Sequence, residues 1–519
     1  MRFATFSVFS RKSIIASSGC RKYTSNVRAI SKYPGLKCGL EIHVQLSTNK
    51  KLFSASETSF QADPNLNVSL YDAAIPGTQP ILNNHAVLLA LRAATALECD
   101  IHPKSSFDRK HYFYADQPAG YQITQFYHPI ASKGHLRLLG RDRNSENSLE
   151  VGITQIQLEQ DTGKSSHTVD SDSSFIDFNR TNHPLIEIIT EPDIKTPADA
   201  AAFIYKLQLI LKHYGVSTGQ FESGAMRVDV NVSVDGGQRC EIKNLASPQE
   251  ASLAIIAEYN RQLSEKAKGT PVTSHTLGWN GSVIRVQRPK ENASEYRYIP
   301  DPELPPLILS SDLTSKVRQN LQQSPDAFID ELMAPPEKQQ LKDARVILRD
   351  GLCSYYYAVK NIVASKRGPT GKIASWISDR VVGILEPHEV NVLPQVITPE
   401  RLADIIILES TKVLSKLNAK NLIAYMFENQ MDSRSIEDLI KHFSLQNEDD
   451  SELKALCEEV LDERQDLVEK FITEKAKNVK NFLVGQVVKK AGGRSDAQRV
   501  KVLLDDLFVS KYGMTRDEL

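Results

Sequence analysis

The stretch Gly39-Leu40-Glu41-Ile42-His43-Val44-Gln45-Leu46 alternates strictly between apolar and polar residues from Leu40 onward. A period of two puts successive side chains on opposite sides of an extended chain, so Leu40, Ile42, Val44 and Leu46 share one face of a strand and Glu41, His43 and Gln45 the other. Such a strand belongs in a sheet with one buried face, because a one-residue slip would expose the entire apolar set. Its polar face joins a carboxylate to an imidazole. That pairing suits a divalent metal, although a solvated sheet surface carries polar residues as well.

The pattern recurs. In Gln155-Ile156-Gln157-Leu158-Glu159-Gln160-Asp161, Ile156, Leu158 and Gln160 fall on one side and Gln157, Glu159 and Asp161 on the other. Glu187 and Glu191 share a face of Leu185-Ile186-Glu187-Ile188-Ile189-Thr190-Glu191. From Met226 to Val234, Met226 and the valines alternate with Arg227, Asp229, Asn231 and Ser233. The turn Gly236-Gly237 before Cys240-Glu241-Ile242-Lys243 predicts a hairpin that brings Glu241 near the Asp229 strand. Acidic faces repeated across a sheet repel one another unless a cation neutralises them. Mg²⁺ held with a nucleotide is the expected neutraliser.

The chain has 519 residues, enough for two to four domains at the usual ~150 residues each. Its formal charge of −1 excludes a surface coated in basic residues, so nucleic-acid contacts must rest on local patches. No run approaches the ~18 apolar residues of a membrane span. The six cysteines are scattered without a C-x-x-C pair, which fits a reducing compartment rather than a zinc site or disulfide framework. Glu41 is the first acid, whereas Arg2, Arg11, Lys12, Arg21, Lys22, Arg28 and Lys32 precede it among serines and apolar residues. This bias predicts a mitochondrial transit peptide over residues 1–33; a disordered basic tail is the other reading.

The expected fold is α+β. Residues 34–325 form a cradle built on an antiparallel sheet, and an all-α C-terminal half follows, divided into a helical linker at 326–397 and a helical tail at 398–519. Within the cradle, Thr196-Pro197 with Asp199 predicts a helix start, with Ile204, Leu207, Leu211 and Tyr214 as its apolar stripe. Ser247-Pro248-Gln249-Glu250 predicts another, running to about Gly269. In the tail an acidic stretch precedes a basic one. Lys489, Lys490 and Arg494 flank Gly492-Gly493, combining mobile cations with close backbone approach, as phosphate contacts require; a glycine-capped, solvated helix end has the same composition.

Several motifs in fixed order carry a family resemblance: Gly-Leu-Glu-Ile-His-Val at 39–44, Phe107-Asp108-Arg109-Lys110-His111-Tyr112-Phe113-Tyr114, Tyr121-Gln122-Ile123, Glu159-Gln160-Asp161-Thr162-Gly163-Lys164-Ser165 and Asp177-Phe178-Asn179-Arg180. Pro184 through Asp193, Arg239 through Leu245 and Tyr296-Arg297-Tyr298-Ile299-Pro300-Asp301-Pro302 continue it. The chain resembles the GatB family, the B subunits of glutamyl-tRNA(Gln) amidotransferase. The resemblance covers nearly everything after the leader, and the tail is similar to the family's tRNA-binding C-terminal region.

That resemblance implies an ATP- and Mg²⁺-dependent ligase using glutamine as amido donor. Mischarged Glu-tRNA(Gln) is phosphorylated on its side-chain carboxylate and then aminated to Gln-tRNA(Gln). It also implies a cradle similar to the glutamine synthetase and guanidino kinase fold, an analogy in architecture. The chain carries neither a Gly/Ser-rich amidase signature nor a Cys-His pairing, so ammonia is expected from a partner amidase, the A component of the family's complexes, with a small third component stabilising the assembly. Matching positions and strand parity together nominate Glu41, His43, Glu159, Glu187 and Asp229 for the metal, with Glu241 as an outer ligand. Lys110, Glu159, Glu187 and Arg297 are the catalytic candidates, and Lys110, Lys164, Arg227 and Arg297 the nucleotide-binding ones. Lys164 lies outside any P-loop, since the G-x-x-x-x-G-K-[ST] spacing is absent. Many family members have two acids where this chain has Glu159-Gln160; an extended strand turns Gln160 away from the metal, and a β-bulge there would reverse the assignment. Two rival functions are a non-catalytic tRNA-binding adaptor and a free-standing amide ligase on a small acid.

Overall fold

The computed structural model describes residues 32–58, 62–143, 145–167, 173–289, 296–384, 393–443, 445, 450–474, 477–491, 495 and 497–516. Of the expected leader, positions 1–31 lie outside the described residues, as does Arg494 with its flanking glycines.

The alternating stretch of Leu36–Gln45 forms the middle strand of a nine-stranded sheet. In spatial order the strands are Ile284–Pro289, His275–Trp279, Cys240–Leu245, Met226–Val234, Leu36–Gln45, Pro184–Thr190, Leu149–Gln160, Ala131–Leu138 and Asp100–Ile101. Every pairing is antiparallel except that between Cys240–Leu245 and His275–Trp279. The register sets the functional face. His43 is opposite Glu187 on one neighbouring strand and Arg227 on the other, while Glu41 is opposite Asp229. Glu187 in turn is opposite Gln157. Directly opposed residues share a face, so these polar side chains emerge on one side of the sheet.

Leu40, Ile42, Val44, Val228, Val230, Ile186 and Ile188 emerge on the other side and are fully buried in one core. Helices Pro197–His213 and Pro248–Ala267 supply Phe203, Ile204, Leu207, Leu211, Ala251, Ala254 and Ile255 to that core. Both begin where their capping residues dictate. The Thr196 hydroxyl accepts the Asp199 amide at 3.1 Å and the Ser247 hydroxyl the Glu250 amide at 3.0 Å, each ahead of a proline that needs no amide partner.

A register shift beside Thr190 places an irregularity near Thr154, six residues before Gln160. Past that point the strand stays paired, Glu159 with Leu185 and Gln160 with Pro184, so the alternation holds through the family motif. A separate three-stranded sheet of Ile299–Pro300, Asp108–His111 and Tyr121–Thr124 is tied to the large one, because Gln122 Nε2 donates to Glu159 Oε1 at 2.7 Å and to the Gln160 carbonyl at 2.6 Å.

The fold is α+β, with an all-helical C-terminal half. The helical cores divide later than 398. Leu402, Ile405 and Ile406 of helix Pro399–Ser410, and Leu422 and Ile423 of Lys416–Glu428, share one core with Phe328, Ile347, Tyr356 and Trp376. The expected division at 397/398 thus runs through a single hydrophobic core. A second core holds Leu453, Val460, Phe471, Leu483, Val487, Leu504 and Phe508. Among the described residues no helix is long and apolar enough to cross a membrane.

The central strand separates core from site residue by residue. Ile42→Ala should therefore destabilise the protein by about 2–5 kcal/mol, by lost burial and residual cavity, while exposed Lys37→Ala on the same strand should stay within about 0.5 kcal/mol; denaturant midpoints followed by tryptophan fluorescence check both.

Candidate functional site

Three side chains converge where the middle strand meets its neighbour. His43 Nε2 lies 3.6 Å from Glu159 Oε1 and 3.9 Å from Glu187 Oε1. One donor atom from each of the three falls within 4.8 Å of the others, a spacing that one ion can bridge. Both carboxylates are buried. Burial lowers the His43 pKa to about 4, so at neutral pH its ring is uncharged and keeps a lone pair for a ligand. Burial also raises the Glu159 pKa to about 7; Lys110 opposes that rise and neighbouring Glu187 adds to it. A neutral imidazole with two carboxylate oxygens is a donor set that fits a divalent cation, and the cation would relieve the repulsion between the acids.

Amides hold the acids in place. Gln122 donates to Glu159, and Gln157 Nε2 donates to Glu187 Oε2. Lys110 reaches the same space from the small sheet, its ammonium 4.9 Å from the centroid of the Tyr296 ring. Burial works against that ammonium, but Glu159, Tyr298 and Glu187 outweigh it and hold the Lys110 pKa well above the ordinary lysine value. A cavity of ≈ 230 Å³ opens here, with Glu41, Lys110, Glu187, Arg239, Glu241 and Lys243 in its wall. Lys110, Arg239 and Lys243 thus offer cationic side chains to an anionic ligand in a cavity whose wall also carries Glu41, Glu187 and Glu241.

The remaining expected residues divide. Glu41 and Asp229 lie on the same face but outside the three-residue cluster. Glu41 accepts from Asn231 Nδ2 at 2.8 Å, and Asp229 accepts the Asn244 amide at 2.8 Å with Lys243 Nζ at 3.6 Å. Glu241 sits beside them, also 3.6 Å from Lys243. Arg227 shares the face but is engaged by Asp161, 2.9 Å from its guanidinium, and Arg180 approaches the same carboxylate at 3.6 Å. Lys164 is exposed on a separate hairpin of Lys164–His167 with Ser174–Asp177. Arg297 is exposed, with a left-handed φ of 44°, while its neighbours Tyr296 and Tyr298 line the cavity. In the tail, Lys489 and Lys490 end the helix Lys477–Lys490, and Lys490 pairs with Glu459 at 2.8 Å and Glu463 at 2.6 Å.

Lys243, Arg239, Gln122, Gln157, Phe126, Tyr296 and Tyr298 are site residues that the candidate set omitted. Lys243 was readable, since it shares strand parity with Glu241. Phe126 was not, because it follows a strand and has no periodicity to orient it. Gln160 faces away from the trio into a second cavity of ≈ 270 Å³ that also takes in Arg109, Gln117, Tyr121 and Asn182.

Residues 36–315 match the family described as the GatB/GatE catalytic domain, and residues 359–507 match the GatB domain. The mitochondrial B subunit of glutamyl-tRNA(Gln) amidotransferase from Debaryomyces hansenii is 41% identical over 488 residues, covering 92% of this chain and 93% of that protein. Its namesake in Komagataella phaffii is 41% identical over 471 residues, covering 88% of this chain and 96% of that protein, and the one in Yarrowia lipolytica is 41% identical over 520 residues, covering 91% and 93%. The matched catalytic region contains the His43, Glu159 and Glu187 cluster and Lys110 in full, and by these similarities along most of its length the chain belongs to the GatB family, the B subunits of glutamyl-tRNA(Gln) amidotransferase.

Proposed function

We propose that this chain is the activating and tRNA-binding component of a mitochondrial amidotransferase that converts Glu-tRNA(Gln) to Gln-tRNA(Gln) at the expense of ATP. The observation that carries the proposal is the trio of half-buried His43 with buried Glu159 and Glu187 beside the charged Lys110, inside the catalytic domain of the matched family. The mitochondrial setting is supported by the names of the relatives and by the acid-free, arginine-bearing N-terminus.

A carboxylate accepts ammonia poorly because oxide is a very poor leaving group. In the proposed reaction a side-chain oxygen of the glutamyl group attacks the γ-phosphorus of ATP. The bond to the bridging oxygen breaks, and ADP leaves with the electron pair. Ammonia then attacks the acyl carbon, inorganic phosphate departs with the former carboxylate oxygen, and nitrogen loses a proton. His43, Glu159 and Glu187 would hold Mg²⁺, which supplies positive charge against the crowded phosphates. Lys110 keeps its proton and offers a fixed cation to the phosphoryl oxygens, and Arg239 and Lys243 extend that role along the cavity wall.

The second cavity supports an external ammonia supply. Oxygen atoms of Gln117, Gln160, Thr181 and Asn182 are buried without hydrogen-bond partners among the described residues, and all four side chains line it. Orphaned buried acceptors favour a small N–H donor. Gln160 follows Glu159 directly in the strand but faces the other side of it, so ammonia released by a partner amidase into this cavity would have to pass the edge of that strand, where Gln122 contacts Glu159, to reach the activated carboxylate. A small third component completes the proposed heteromer.

Glu187→Gln in the purified heteromer should lower Gln-tRNA(Gln) formation by about a hundredfold or more while tRNA affinity is kept; equal turnover in wild type and variant would mean that the chain is only an adaptor. Because a protonated Glu159 is a poor ligand, divalent-metal affinity should weaken about tenfold from pH 8 to pH 6 and level off above pH 8, as measured by Mn²⁺ binding with electron paramagnetic resonance. In the tail, replacing Lys489 by alanine should weaken tRNA binding and flatten its salt dependence by roughly one unit of log K per log salt, and replacing Lys490, which Glu459 and Glu463 already hold, should do so by less, read from filter binding across a salt series.

A further inference from the structure

An aromatic cluster stands at the edge of the catalytic cavity, and metal and phosphate chemistry leave it without a role. Phe126 and Tyr298 lie face to face, with centroids 4.0 Å apart and planes 8° from parallel. Tyr127 meets Phe126 edge-on at 5.0 Å and Tyr298 at 6.5 Å, and Tyr296 meets Tyr298 at 6.0 Å. The arrangement is anchored to the small sheet. Asp108 Oδ2 accepts the Tyr127 amide at 2.9 Å, and the Tyr127 hydroxyl donates to the Tyr298 carbonyl at 3.4 Å.

The cluster is open to solvent, with Phe126 37% and Tyr127 52% exposed. Phe126, Tyr296 and Tyr298 also line the cavity that holds Lys110, Arg239 and Lys243. Phe126 therefore lies at the rim, in reach of both cavity and solvent. Planar faces beside cations form the combination that binds an unpaired nucleotide, the rings taking the base and the cations the phosphates.

Resting on the function proposed above, we infer that Phe126 and Tyr298 form the platform on which the 3′-terminal adenine of the tRNA stacks. ATP also carries an adenine, but two features favour the tRNA. A base whose backbone continues into a long polynucleotide needs an open rim, and the exposed side of this cluster provides one. The glutamyl ester hangs from the ribose of that same adenosine, so a base stacked at the rim directs its side chain inward toward Lys110 and Glu187. Stacking would thus set the reach of the carboxylate, making Phe126 and Tyr298 binding residues for the acceptor end.

The test is equilibrium binding of uncharged tRNA to the intact heteromer, with a complete CCA end and with the terminal adenosine removed. Wild type should lose about tenfold or more in affinity on losing that base. Phe126→Leu, which keeps apolar bulk but removes the ring, should bind both tRNAs equally. Phe126→Trp should restore the difference, and the KM for ATP should stay within about threefold of wild type in both variants. The inference is overturned if wild type does not distinguish the two tRNAs, if Phe126→Leu still does, or if Phe126→Leu raises the KM for ATP instead. Failure of the underlying function would look different: wild type would form no Gln-tRNA(Gln) from ATP, ammonia and Glu-tRNA(Gln), whatever its binding preferences.

Discussion

Burying two carboxylates beside each other is the electrostatic constraint around which the catalytic half is arranged. Glu159 and Glu187 both lie out of solvent, and burial is the main force driving the Glu159 pKa to about 7. A chain selected for stability alone would replace such a pair with apolar residues. Here the fold surrounds the pair with compensation. Lys110 contributes a full charge, Gln122 and Gln157 contribute amide donors, and His43 stays neutral so that it adds no competing cation. A divalent cation held by the three side chains would complete that compensation.

The sheet makes this placement possible. Because the middle strand is hydrogen-bonded on both sides, its register fixes His43 against Glu187 and Arg227 together, and neither neighbour can slip by one residue without exposing its own apolar set, Ile186 and Ile188 on one side or Val228 and Val230 on the other. The two faces then serve different purposes, one packed against capped helices and the other left to chemistry. The small sheet adds the third dimension. It carries Lys110, Gln122 and the Phe126–Tyr298 rings from a direction the large sheet cannot reach, and the Gln122 contact to Glu159 joins the two. Glu159 and Gln160 consequently turn to opposite sides although they are adjacent in sequence, Glu159 toward His43 and Gln160 into the second cavity.

Much of this was legible in the sequence because a period of two survives in the primary structure. The strands around His43, Glu187 and Asp229, the hairpin toward Glu241 and both capped helices could be read from alternation and from capping residues. Parity assigns a face, however, and not a distance. It could not say that Glu41 and Asp229 would be drawn to Asn231 and Lys243 while His43, Glu159 and Glu187 closed on one another. Arg227 likewise has the right parity, yet Asp161 holds it through a contact 66 positions away in sequence. The aromatic rim was invisible for a related reason, since Phe126 and Tyr298 meet only when two short strands flank Asp108–His111. In the helical half, helix starts were marked, but which helices shared a core depended on long-range packing; the Pro399 helix therefore joins the preceding core rather than the tail.

The central claim is that this protein activates the glutamyl side chain by making it an acyl phosphate, and the fate of one oxygen atom tests it most directly. Glu-tRNA(Gln) labelled with ¹⁸O in the side-chain carboxylate, supplied to the heteromer with ATP and ammonia, should give inorganic phosphate carrying one labelled oxygen for each glutaminyl-tRNA formed. Unlabelled phosphate accompanying full conversion would contradict the account, because the carboxylate oxygen would then have left without ever bonding to phosphorus.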